Sequence, residues 1–231
     1  MSGYLNSTNS DDSQKPVVFM QHGLWDSSFT WIVDGAGLGP AYLMVDAGFD
    51  VWLGNNRGNY LSQNHTYLNR TEEAYWEFTW QHMAEYDIPA MIDYTLEQTN
   101  RQTLVYVGHS EGTTQMFARL ADVSDFADKI SLFIALAPAI STAHLDSKTI
   151  HEISQIKALS FILQGLGYYQ FLGYPNMPIT FYHICKNFSF ICEDFLYFVA
   201  DKDKEVDNIE QLPIVFSHFP MRTSLRNMVH W

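Results

Sequence analysis

The chain predicts an α/β fold, a parallel sheet whose strands alternate with helices, joined to a mostly helical covering region. Three observations carry this. Short runs of β-formers recur between helix-like segments, at 16–20, 49–53, 103–107 and 130–136. The third run leads into Gly108-His-Ser-Glu-Gly112, a G-x-S-x-G pentapeptide set between a strand and a helix. From about Ala139 the alternation stops, and apolar, aromatic stretches with helical spacing replace it.

In chain order, a polar leader from Met1 to Lys15 lacks the apolar centre of a signal peptide. Pro16-Val-Val-Phe-Met20 reads as a fully buried strand ending in Gln21-His22-Gly23-Leu24. Pro40 to Ala47 is helical and stops at Gly48, a natural helix end. Phe49-Asp-Val-Trp-Leu53 is a second strand, closed by Gly54-Asn-Asn-Arg-Gly58. A longer helical region covers 79–99, and Pro89 opens or kinks its second part. Thr103 to Val107 is the strand before Ser110, and the segment after it sets Met116, Phe117, Leu120 and Ala121 at helical spacing. Ile130 to Leu136 is a fourth strand. Right-handed crossovers put the loops after the strands along one sheet edge, where chemistry gathers. His22-Gly23-Leu24 and Ser110 both fall there. The division expected is a core over 1–138 and a cap over 139–231.

Composition narrows the function classes. A chain of 231 residues is one domain, or one domain with an inserted cap, and 47% hydrophobic content suffices for a core. The formal charge of −13 argues against nucleic acid, which needs a basic face, and against electrostatic capture by anionic lipid. Membrane contact would therefore be apolar, and no apolar run is long enough to cross a bilayer. Asn-x-Ser/Thr sequons occur at Asn6, Asn64, Asn69 and Asn187, which favours a secretory route. Cys185 and Cys192 fit either a disulfide or two buried thiols, and the sequons tilt the reading toward the disulfide. No second Cys/His pair stands at ligand spacing, so neither a metal nor a cofactor is expected. Sequons without a leader give the expectation that the chain is part of a longer one.

A serine hydroxyl attacks an ester only with a base to take its proton and donors for the developing oxyanion. In an elbow of this type one donor is the amide of the residue after the serine, here Glu111. Leu24, in the loop after a neighbouring strand, is placed to supply the second.

At these residues the chain resembles the acid lipases, the gastric, lingual and lysosomal lipases of the α/β-hydrolase superfamily. The resemblance rests on Lys15 to Leu24, Asp46 to Asn59, Met83 to Ala90, Val107 to Thr113 and Ala135 to Pro138. Ser217-His218 and Asn227 to Trp231 extend it into the cap. It implies a partial α/β-hydrolase sheet with Ser110 as nucleophile, Leu24 and Glu111 as oxyanion donors, and triacylglycerols or steryl esters as substrates. It further implies a Cys185–Cys192 disulfide in the cap and a secreted or lysosomal protein. The family's catalytic Asp and His are expected beyond Trp231, and its larger sheet implies that both edges of this partial sheet are uncovered.

The chain departs from the family in having Glu111 where Gln is usual and Met221-Arg222 where small residues are usual. Without the resemblance, a triad is completed inside the chain. Leu196 to Asp201 reads as a strand ending in acids, with Asp203 and Asp207 nearby, and Leu212 to His218 as a strand ending in histidine. The resemblance places these in the cap and makes Asp203, His218 and His230 structural, with His22 and His109 shaping loops. Phe161, Tyr168, Tyr169, Phe171 and Phe181 fit a packed core or a lipid-facing lid. The expected function is ester hydrolysis; the rivals are an inactive lipid-binding or scaffold protein and an acyltransferase.

Overall fold

A computed structural model describes residues 3–5, 15–141, 156–172, 177–199 and 208–231. Four parallel strands form the sheet: β2 (Val17–Gln21), β3 (Asp50–Leu53), β4 (Leu104–His109) and β5 (Ile130–Leu136). A fifth, β1 (Gly3–Leu5), runs antiparallel along β3, so the spatial order is β1-β3-β2-β4-β5. β2 is central and its five residues are all buried, which its unbroken apolar run anticipates.

Successive residues of a strand face opposite sides, and here they feed two cores. Val17 and Phe19 of β2, Trp52 of β3 and Leu104 and Tyr106 of β4 pack on one side. Ile88, Ile92 and Leu96 of one helix and Met116 of another close that side. Val18, Met20, Val51, Leu53 and Val107 pack on the other, against Trp31 and Ala41. The covering helices are α1 (Pro40–Asp46), α3 (Ile88–Thr99) and α4 (Glu111–Asp122). The region predicted helical over 79–99 is divided. A short α2 (Trp80–His82) runs into a wide π-turn over Met83–Asp87, and Pro89 sits in the first turn of α3, where its missing N–H is harmless. Asp87, at that junction, receives the Arg57 amide at 3.0 Å and its Nε at 2.7 Å.

After β5 come α5 (Ile156–Gly165), α6 (Met177–Asn187), α7 (Ser189–Val199), α8 (Leu212–Phe216) and α9 (Leu225–His230). A two-stranded ribbon joins β6 (Gln170–Phe171) to β7 (Thr223–Ser224). Cys185 and Cys192 are disulfide-bonded, with Cα atoms 5.5 Å apart, inside a cluster with Leu212 and Phe216.

Two local expectations are corrected. Residues 196–199 of the first strand-like run lie in α7 and 212–216 of the second form α8 instead: Pro213 lies in the first turn of α8, and Phe195 and Phe216 meet edge to face in the disulfide cluster. Asp201, Asp203 and Asp207 lie outside the described residues. The sheet edge at β3 is not bare, because Gly3-Tyr-Leu5 pairs along it, a segment too short to stand out in a polar leader. β5 pairs only with β4 among the described residues, and it exposes Leu132 and Leu136. Of the aromatic residues weighed as a lid, Phe171 stacks on Trp25, Phe181 joins the disulfide cluster, and Tyr169 packs against Tyr75, Trp76 and Phe78. Tyr168 is exposed, and the Phe161 side chain lies outside the described residues.

Candidate active site

Ser110 stands where β4 turns into α4, with φ 49° and ψ −117°. This is a left-handed backbone that a non-glycine residue adopts only under constraint. The constraint is visible on both sides. Its amide donates to the Leu136 carbonyl at 3.0 Å, and its carbonyl accepts from the Thr113 amide at 2.8 Å and hydroxyl at 2.6 Å. The Thr113 hydroxyl in turn accepts from the Ala139 amide, tying the elbow to the end of β5.

The flanking glycines are steric necessities. A Cβ on Gly108 would lie 2.9 Å from the Gly112 carbonyl carbon, and one on Gly112 would lie 2.7 Å from the Gln21 carbonyl oxygen and 2.8 Å from that of His22. α4 thus rests directly on the end of β2. A Cβ on Gly23 would sit 3.0 Å from the Cβ of Ser110, so the loop after β2 abuts Ser110. Leu24 and Glu111 therefore belong to the two segments that meet at Ser110. No described residue accepts a hydrogen bond from either amide.

The loop after β2 is held from behind by His22. Burial pushes its pKa down to about 4, so the ring is neutral near pH 7. Nε2 receives the Asn56 amide at 3.2 Å, which leaves the proton on Nδ1, 2.8 Å from the Gly23 carbonyl. Both ring nitrogens are thereby engaged in shaping the loop, and Asn59 adds a contact to Nε2 at 3.3 Å. From the other side the Met221 amide donates to the Trp25 carbonyl at 2.6 Å, and Trp25 Nε1 reaches Met228 Sδ. Burial also pushes the Asp26 carboxyl up to about 7, although the Ser27 amide donates to it at 2.7 Å.

The Glu111 side chain is buried in the protein, only 2% exposed. Oε1 receives Gln115 Nε2 at 3.2 Å; Oε2 receives Asn227 Nδ2 at 2.9 Å and Trp231 Nε1 at 2.8 Å. Desolvation still holds its pKa above the usual carboxylate range despite three donors. Asn227 goes further, accepting from the Trp80 amide at 2.6 Å. α9 is thus bolted to the base of the elbow through one carboxylate. Asn227 and Trp231 gave no local sign of this, since the partners lie 116 and 120 residues apart.

Among the described residues no side chain hydrogen-bonds to the Ser110 hydroxyl. His218 stacks on Phe29 with centroids 3.6 Å apart and meets the Ser217 hydroxyl at 2.8 Å. Asn64, Asn69 and Asn187 are exposed, and Asn6 lies outside the described residues. No group of three metal-binding side chains occurs among the described residues, and no described helix is long and apolar enough to cross a membrane.

The profile of a family described as "alpha/beta hydrolase fold" matches residues 16–160, the stretch that holds the whole parallel sheet and the elbow. The chain belongs to the α/β-hydrolase family. Its relatives include the human protein named Lipase member J, 36% identical over 99% of this chain and 63% of that one. Lipase lipl-1 of Caenorhabditis elegans is 38% identical over 95% of this chain and 56% of its own length. Human lysosomal acid lipase/cholesteryl ester hydrolase is 32% identical over 96% and 56%. The chain therefore spans little more than half the length of the curated relatives it matches. A solved protein of Sulfolobus solfataricus shares the fold with TM-score 0.63 at 14% identity, over 99% of this chain and 73% of its own.

Proposed function

We propose that this α/β hydrolase is a lipase-type carboxylic ester hydrolase in which Ser110 forms the acyl-enzyme. The Ser110 oxygen bonds to the ester carbonyl carbon as its proton passes to a base. The Leu24 and Glu111 amides stabilise the oxyanion, the alcohol leaves with a proton, and water then releases the acid. The contact of Gly23 with Ser110 supports this reading most directly, because it brings the two amide-bearing segments to one point. The substrates are triacylglycerols or steryl esters, in keeping with relatives named as lipases and as a cholesteryl ester hydrolase. The protein is secreted or lysosomal, with glycans on the exposed Asn64, Asn69 and Asn187 and on Asn6, and with the aromatic cap meeting the lipid. Core and cap divide near residue 138.

His22 has both nitrogens engaged, and no described histidine hydrogen-bonds to the Ser110 hydroxyl, although His109 Nδ1 lies beside it, 3.1 Å from where a Cβ on Gly23 would stand. That observation favours a second reading, an inactive lipid-binding or scaffold protein. A fluorophosphonate probe separates the two. In the first reading Ser110 is labelled slowly, imidazole added as an external base raises the rate, and Ser110→Ala labels at background. Donors alone retain roughly 10³–10⁴-fold over water, so slow labelling is measurable. Wild type indistinguishable from Ser110→Ala, with and without imidazole, would establish the inactive reading.

A further inference from the structure

Arg222 is 6% exposed, yet among the described residues no carboxylate meets it. One guanidinium nitrogen donates to Gln63 Oε1 at 2.5 Å, and the group lies over the Tyr60 ring, 4.0 Å from its centroid. Arg70 donates to the same Gln63 oxygen, so two guanidinium groups share one neutral amide. Arg222 Nε is buried without a hydrogen-bond partner. Among the described residues no carboxylate pairs with either arginine, and the groups acting on Arg222 are Tyr60, Tyr75 and Arg70 itself. A buried cation without a counter-charge is a costly arrangement unless something else supplies the anion.

Both arginines open onto a cleft of about 610 Å³, whose walls include Tyr60, Gln63, Trp76 and Tyr169. Leu24, Ser110 and Glu111 contribute nothing to it. The volume suits a small molecule. The planar forks of two arginines match the two oxygens of a carboxylate or phosphate, and the aromatic walls suit an apolar body.

We propose that this cleft binds an oxyanion-headed amphiphile, with its carboxylate or phosphate head on Arg222 and Arg70 and its apolar chain against Tyr60, Trp76 and Tyr169. The site stands independently of Ser110 chemistry. A fatty acid and a phosphorylated lipid share the head chemistry, and separate probes tell them apart.

The test is isothermal titration calorimetry of the 231-residue chain with dodecanoate, dodecyl phosphate and dodecanol, each below its aggregation threshold. At least one anion should bind 10-fold or more tightly than dodecanol, and the better anion names the head. Arg222→Met should bring that anion to within about twofold of dodecanol. The unliganded variant should melt no lower than wild type, because a buried unpaired charge is lost; a purely structural arginine would lower the melting temperature. Equal affinity for dodecanol and both anions, or no saturable binding of any, would overturn the site. So would full anion affinity in Arg222→Met. The head-group comparison uses wild type alone and decides the matter even if the variant fails to fold.

Discussion

Glu111 beneath the elbow and Arg222 beyond the sheet are both buried among the described residues, and they are housed in opposite ways. Glu111 meets three donors from Gln115, Asn227 and Trp231 and joins two distant parts of the chain. Arg222 meets one shared amide oxygen and an aromatic face, and its Nε is orphaned. A charge with its surroundings complete fixes internal structure. One whose surroundings lack only an anion faces an outside partner.

Substitutions should bring this contrast out with opposite signs. Glu111→Leu leaves the donors of Gln115, Asn227 and Trp231 without that acceptor, and urea unfolding should show a loss of about 3 kcal/mol. Arg222→Met removes a desolvated charge and keeps the aliphatic bulk, so stability should hold or rise by about 1 kcal/mol. A large loss at Arg222, or none at Glu111, would erase the distinction.

Acidity probes the elbow side next. Asp26 and Glu111 both have folded pKa values raised by burial, so their contribution to stability is full below the unfolded values and is lost as pH rises through the folded ones. With Asp26 near 7, the urea midpoint should fall between pH 6.5 and pH 8, by up to about 1 kcal/mol per unit. Asp26→Asn should flatten that slope. His22, with its value lowered to about 4, works in the opposite direction, but only as pH drops below its unfolded value of 6.5.

The smallest effect is expected for Glu111→Gln. An amide there keeps its oxygen toward Asn227 and Trp231 and turns its nitrogen toward Gln115, whose buried Oε1 has no partner. A flip of Gln115 satisfies the new donor, so stability should change by less than about 1 kcal/mol and lose its Glu111-dependent response to pH. A loss as large as that of Glu111→Leu would show that the negative charge itself is required.

The parallel strands and the elbow were legible because their signals are local. A β-rich run must bury itself, and Gly108 and Gly112 flank Ser110 at the spacing a strand-to-helix turn demands. The helical region after β5 was less legible. Pro-Ile-Val-Phe at 213–216 has strand composition, yet it folds as α8 because Pro213 starts a turn and Phe216 packs into the cluster around the disulfide. β1 was hidden by its three-residue length. The housing of Glu111 and the exposure of Arg222 to a cleft depend on groups more than a hundred residues away in sequence, beyond the reach of any periodicity.

Gly112 lies so near the Gln21 and His22 carbonyls that even a methyl group could not pass between them. With no slack there, a helix start and a strand end travel as one body, and any disturbance of either is felt at both. Tolerance to mutation should therefore be lowest not around the Ser110 hydroxyl but at this hidden seam behind it.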